Sequence, residues 1–169
     1  MDDVGLPELV RLEADDWADF RQVRLASLAD SPQAFGERHA DWVDATEERW
    51  RARLTDVPLT LVGRSEGRLV GVVCGMPSEN QVWLISMWVA PDHRGSGLAG
   101  RLIDGVVGWA SSLGLDTDLM VRDDNARAIR AYERAGFIDL GVPPDWPADA
   151  PRERRMRYAT VTAPGDALA

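Results

Sequence analysis

The residues able to do chemistry concentrate in two short runs. Residues 92–103 read DHRGSGLAGRLI, in which Gly95, Gly97 and Gly100 follow Arg94. Glycines at a helix start let the backbone approach a ligand closely, and the free amides there suit a phosphate. Arg94 adds a fixed positive charge. A tight turn with close helix–sheet packing would call for the same glycines, so spacing alone leaves both readings open. The second run, NARAIRAYERAGF (125–137), carries Asn125 and, seven residues on, Tyr132. Asn125 sits where a helix N-cap belongs, and Tyr132 is either an aromatic packing on the helix face or a proton donor.

Other chemistries lack their residues. All 19 basic residues are arginine, which removes lysine Schiff bases and Walker-type phosphate loops. One cysteine, Cys74, and two histidines, His39 and His93, exclude a disulfide framework and leave no basis for a metal cluster. Cys74 lies among small and β-branched residues and reads as a buried small hydrophobe.

The elements that must position these runs follow from periodicity. Strand patterns occupy 8–13, 59–66, 68–76, 81–90, 116–122 and 152–160. Glu66-Gly67 marks a hairpin between the second and third of them. Helical spacing covers 16–29, 46–54 and about 125–135, with Gly136 as a stop. Leu98, Leu102, Val106, Trp109 and Leu113 put one apolar face on a helix ending at Gly114. A meander followed by strand–helix–strand–helix–strand is a mixed α/β (α+β) domain whose sheet contains one parallel crossover. It fills residues 1–160, with 161–169 a frayed tail.

Composition narrows the partners. At 169 residues and 45% apolar content, the chain builds one core. A net charge of −9 argues against phosphate-neutralising nucleic-acid binding and against an anionic membrane surface. It would suit a cationic substrate if the acidic groups gathered near a site. No apolar run approaches a membrane span, and the acidic start MDDVGLPELV is not a secretory signal, so a cytoplasmic protein is expected.

Gly95-Ser96-Gly97-Leu98-Ala99-Gly100 also fits G-x-G-x-x-G, the dinucleotide fingerprint. The context contradicts it. In a nicotinamide-binding unit the glycines leave the strand directly and open a parallel sheet, whereas here Pro91 to Arg94 intervene after an antiparallel meander.

The segment instead resembles the acetyl-CoA pyrophosphate loop of the GCN5-related N-acetyltransferase (GNAT) family. That signature is Gln or Arg, two residues, Gly, one residue, then Gly or Ala; here it reads Arg94-Gly95-Ser96-Gly97-Leu98-Ala99. MWVAPDH (87–93) is similar to the strand and proline that precede the family's loop, and 125–137 is similar to its second motif. The ordered pair covers residues 87–137.

The resemblance implies a mostly antiparallel mixed sheet whose fourth and fifth strands, 81–90 and 116–122, splay into a V. Backbone groups of Met87, Trp88 and Val89 would pair with the pantetheine amides of acetyl-CoA. Arg94 and the amides of Gly95, Ser96, Gly97, Leu98, Ala99 and Gly100 would hold the pyrophosphate, and Asn125 would contact the cofactor arm. Tyr132 would protonate the departing thiolate, since a phenol of pKa ~10 and a thiol near ~8.5 are close enough for transfer. The glutamate some members carry on the fifth strand is Met120 here, so no general base is carried over. Glu37, Asp44, Glu47, Glu48 and Glu79 remain as acids that read as surface charges.

Residues 24–54 would line the acceptor pocket, with the 34–36 stretch and Trp42 or Trp50 as an apolar wall; the tryptophans equally read as core, the better reading for Trp50. The implied activity is direct transfer of acetyl to a primary amine of a small molecule or peptide. The alternative is a non-catalytic acyl-CoA-binding module. A homodimer is suggested by the resemblance alone.

Overall fold

A computed structural model describes residues 5–161. The expected elements form one seven-stranded sheet in the order β1-β2-β3-β4-β5-β7-β6. Its first strand, β1 (Glu8–Arg11), precedes helices α1 (Trp17–Asp30), α2 (His39–Trp42) and α3 (Glu47–Asp56). Strands β2 (Leu59–Ser65), β3 (Arg68–Pro77) and β4 (Gln81–Val89) then make the antiparallel meander. Helix α4 (Leu98–Ser112) crosses to β5 (Asp116–Arg122), which pairs in parallel with β4. Helix α5 (Ala126–Arg134) leads to β6 (Ile138–Asp139) and β7 (Glu153–Tyr158). The two-residue β6 and the single turn α2 carried no periodicity long enough to read. The proposed tail falls, beyond Val161, outside the described residues.

Local chemistry accounts for the joints. Glu66 and Gly67 take positive φ (49° and 78°), as the tight hairpin turn of right-twisted strands requires. Thr46 caps α3 by accepting from the Arg49 amide. Alternation along the strands divides the core into two layers. Gly63 and Gly71 face Leu98 of α4, whereas Arg64 pairs with Asp19 of α1, and Trp88 donates to Asp30 at the end of α1. Helices α1 and α4 therefore cover opposite faces. Trp50 is fully buried in the α1 layer, its ring near Phe20 and Trp42, so both tryptophans belong to the core. Cys74 is buried too, in contact with the Thr60 hydroxyl. Among the described residues, no helix is long and apolar enough to cross a membrane.

Two features of β4 shape the site. Cys74 faces Ile85 and Val72 faces Trp88, so Ser86 and Met87 together oppose Val73 in a bulge, with Ser86 at φ 59°. Parallel pairing with β5 is confined to Gln81–Asp116, Val82–Thr117 and Trp83–Asp118. Beyond Trp83 the two strands separate, and the backbone edge of β4 is left without a strand partner on that side.

Candidate active site

The separation of β4 and β5 opens a cleft of about 760 Å³. One wall is the C-terminal half of β4, where Met87, Trp88 and Val89 line the space. Its mouth is the glycine-rich loop at the start of α4, and its far wall is α5. Residues from the two sequence runs, 87–100 and 125–135, thus meet around a single cavity of the size small ligands occupy.

Gly95 and Gly97 both take positive φ (79° and 87°), so the turn requires glycine on conformational grounds. Packing does not explain them. A Cβ placed at Gly95, Gly97 or Gly100 would meet nothing within 4 Å. All three line the cleft, so the empty space over them belongs to the cavity. Gly97 is the N-cap of α4, and the first amides of that helix have no acceptor one turn earlier. They and the helix dipole make the mouth attractive to an anion. Ser96 and Leu98 turn their side chains elsewhere: the Ser96 hydroxyl donates to the His93 carbonyl at 2.6 Å, and Leu98 is fully buried.

Arg94 is not a free cation. Its Nε donates to the Val89 carbonyl at 2.9 Å, and its Nη2 donates to Asp30 at 2.6 Å. Asp30 also accepts from Trp88 Nε1 and the Ser31 hydroxyl. Those two bonds, with Arg94, hold its carboxyl below the usual range. The cluster fastens the loop, the end of α1 and the end of β4 together. Unassigned from sequence, the exposed Arg127 and Arg134 of α5 line the cleft as well. Their seven-residue spacing, two helical turns, was the available signal.

Asn125 caps α5 by accepting from the Ala128 amide at 3.1 Å, and it lines the cleft too. Tyr132 is 8% exposed, with its ring 5.7 Å from that of Phe137. Burial pushes its phenol well above the ordinary tyrosine range, so the proton stays on Oη.

On the face of the split that points toward α1 and α3, β5 presents Asp118 and Met120. Asp118 is fully buried, and burial alone would raise its carboxyl. Hydrogen bonds from Arg157 and Arg155 outweigh that and hold it ionised. Arg155 also lies over the Trp83 ring at 5.1 Å. The acidic surplus therefore does not gather on this face. Of the sequence's candidate acids, Glu37 is paired with Arg24 and Glu47 with Arg51. Ala34 and Phe35 do form an apolar part of the cleft wall, whereas Trp42 and Trp50 do not line it.

A split mixed sheet with a glycine-rich helix start at the mouth of the split defines the class of protein. The chain belongs to the Acetyltransferase (GNAT) family, whose model matches residues 11–137. It is 31% identical over 132 residues to a mycothiol acetyltransferase of Clavibacter michiganensis subsp. michiganensis, covering 77% of this chain and 41% of that protein. A mycothiol acetyltransferase of Propionibacterium freudenreichii subsp. shermanii is 32% identical over 160 residues, covering 86% and 50%. The chain thus spans about half the length of these curated relatives or somewhat less. Its fold matches the PaiA N-acetyltransferase of Thermoplasma acidophilum, solved in complex with coenzyme A (TM-score 0.70, 15% identity, 90% of this chain and 98% of that one).

Proposed function

We propose that this chain is an N-acetyltransferase that moves an acetyl group from acetyl-CoA to a primary amine by direct attack in a ternary complex. The observation that carries the reading is the opening of β4 from β5 beyond Trp83, with a glycine cradle at its mouth over which a Cβ would meet nothing within 4 Å. The residues present fit acetyl-CoA: a strand edge for the pantetheine amides, loop and helix-start amides for the pyrophosphate (only those of Ser96 and Leu98 hold long 3.4 Å bonds, to the His93 carbonyl and the Ser96 hydroxyl), and arginines beside them. Family membership and the curated relatives' names support the reaction class.

Amides of Gly95 through Gly100, Ser96, Leu98 and Ala99 included, hold the pyrophosphate, with Arg127 and Arg134 available to the remaining phosphate charge. Backbone groups of Met87, Trp88 and Val89 align the arm as an added strand would be aligned. Arg94 acts by fixing the loop, and Asn125 orients the start of α5 against the arm. Bound acetyl-CoA supplies a thioester-activated acetyl group whose C–S bond breaks as the C–N bond to the acceptor forms. Tyr132 donates from Oη to the sulfur. Its raised pKa keeps the proton available at every physiological pH and makes complete transfer uphill, so the phenol stabilises the thiolate chiefly as a hydrogen-bond donor. Asp118, locked to Arg155 and Arg157, is too weak a base to take the amine proton, which leaves through water. Cys74 sits in the core away from the cleft, which favours direct attack over an acyl-enzyme.

The test is an amine panel with acetyl-CoA, following thiol release and the mass of the product. Thiol release matched by an acetylated amine is the expected result. Tight acetyl-CoA binding without thiol release from any amine would make the chain a non-catalytic acyl-CoA-binding module instead.

A further inference from the structure

Arg53 reaches the β4 bulge from the helical layer, Arg24 stands beside the cleft-lining Phe35, and three of their N–H-bearing nitrogens have no partner among the described residues. Arg53 of α3 directs Nη2 to the Ser86 hydroxyl at 3.4 Å, while its Nη1 is buried and unpartnered. Its guanidinium lies 5.9 Å from the Phe20 ring. Arg24 follows Phe20 by one turn on the same face of α1 and is only 3% exposed. Its Nη2 donates to Glu37 at 2.7 Å, but Nε and Nη1 are buried without partners. The guanidinium stacks 4.7 Å from Phe35, which lines the cleft together with Met87.

Buried charged donors left unmatched are costly, and native interiors rarely keep several in one wall. Here Arg53 stands at Ser86, the chain neighbour of cleft-lining Met87, and Arg24 stands behind cleft-lining Phe35. The other arginines of this face, Arg155 and Arg157, already share Asp118. Among the described residues Arg53 has only the serine hydroxyl.

We infer that Arg24 and Arg53 form an anion-recognition wall of the acceptor site, and that the acceptor is an amine bearing a carboxylate, of the amino-acid class. This rests on the acetyl-transfer reading and names its second substrate. A carboxylate is the fitting anion because Glu37 already places one on Arg24 Nη2, and the Nε and Nη1 N–H groups left over are donors of the same charged kind. Arg53 touches Ser86, next to Met87 on the cleft wall. The free donors thus lie directly behind two residues of the cleft wall, Met87 and Phe35. A polyamine or a lysine side chain would meet an uncompensated positive charge at the same place.

The experiment compares amino acids with their own carboxamides, using initial rates with acetyl-CoA and purified protein. The carboxylate member is expected to have the higher kcat/KM by tenfold or more. Arg53→Gln should reduce that ratio at least tenfold, mainly through KM, and Arg53→Lys should restore part of it. Melting temperature with coenzyme A present checks that the variants fold. Carboxamides or diamines turned over as well as the acids, or a ratio that survives Arg53→Gln, would overturn the acceptor assignment while acetyl transfer stands. If no amine releases thiol, calorimetry with N-acetylglycine and N-acetylglycinamide in saturating coenzyme A decides separately. Carboxylate-dependent binding lost in Arg53→Gln supports the anion wall; equal binding or none removes it.

Discussion

Arg94 and Asp30 form a 2.6 Å ion pair that joins the glycine-rich loop to the C-terminal end of α1, 64 residues earlier. The arginine of the loop motif thus holds the protein together at the mouth of the cleft, and its Nε holds the Val89 carbonyl. Its charge faces Asp30 before it faces any ligand. Under the acetyl-CoA reading proposed above, phosphate binding falls to backbone amides and to the arginines of α5.

This arrangement makes a prediction of definite sign. If Arg94 served the ligand mainly as a charge, Asp30→Asn would free it and tighten coenzyme A binding. Because the pair fixes the loop, Asp30→Asn is expected to weaken binding severalfold. It should also lower stability by about 1–3 kcal/mol, the range for hydrogen bonds to charged groups. Calorimetric affinities and urea midpoints for Asp30→Asn, Arg94→Gln and the double variant measure it. The two sites should couple by at least about 0.5 kcal/mol.

Gly100→Ala separates ligand space from fold. Alanine is the better helix former, and nothing lies within 4 Å of its Cβ. The variant should be as stable as the parent or more stable by about 0.4–1 kcal/mol. The same methyl projects into the cleft mouth, so affinity for coenzyme A should fall tenfold or more. Gly97→Ala should lose both, since its φ of 87° strains any side chain. Thermal melts with and without coenzyme A distinguish the three proteins.

Tyr132→Phe should lower kcat by about 10²-fold, at the lower end of what a positioned acid supplies, with KM little changed. Stability should hardly move, because the ring packing against Phe137 is kept. The pH profile is equally diagnostic. A phenol raised above its ordinary range produces no loss of activity below pH ~10. With no ionised base free on the β5 face, log kcat/KM should climb with unit slope until the acceptor amine is itself neutral. A basic limb near pH 8 that vanishes in Tyr132→Phe would contradict this.

The sequence carried the elements and the two halves of the cleft because both are local. Heptad-like spacing built α4, alternation built β2–β4, and glycine positions marked the turns. The splay followed only from the family resemblance, and the pairing of Gln81–Trp83 with Asp116–Asp118 gives it a physical form. Legibility failed where a side chain finds its partner across the fold. That Arg94 is also paired could not be read, because Asp30 is far away in sequence. Arg24 and Arg53 sit in helices whose apolar pattern says nothing of a charge buried beneath them. The acidic surplus suggested a cationic acceptor, yet the β5 face toward α1 and α3 carries a buried Asp118 already paired with Arg155 and Arg157.

Asp118 supplies a pH test of the sheet itself. It is fully buried and held below the ordinary carboxylate range by hydrogen bonds from Arg157 and Arg155 that outweigh burial. A folded pKa below the unfolded value means the ionised pair stabilises the protein above about pH 4 and stops doing so as pH falls through the folded pKa. Asp118→Asn removes this at neutral pH and leaves two arginines without their shared carboxylate. Both arginines are about one-third exposed, so the cost should be about 1–3 kcal/mol rather than the larger loss of a fully buried pair. Below pH 4 the parent loses the same contribution, and the two proteins should converge. Urea midpoints at pH 7, 5 and 3 measure the difference: a gap that stays constant to pH 3 would show that Asp118 stabilises β5 and β7 by shape rather than by charge.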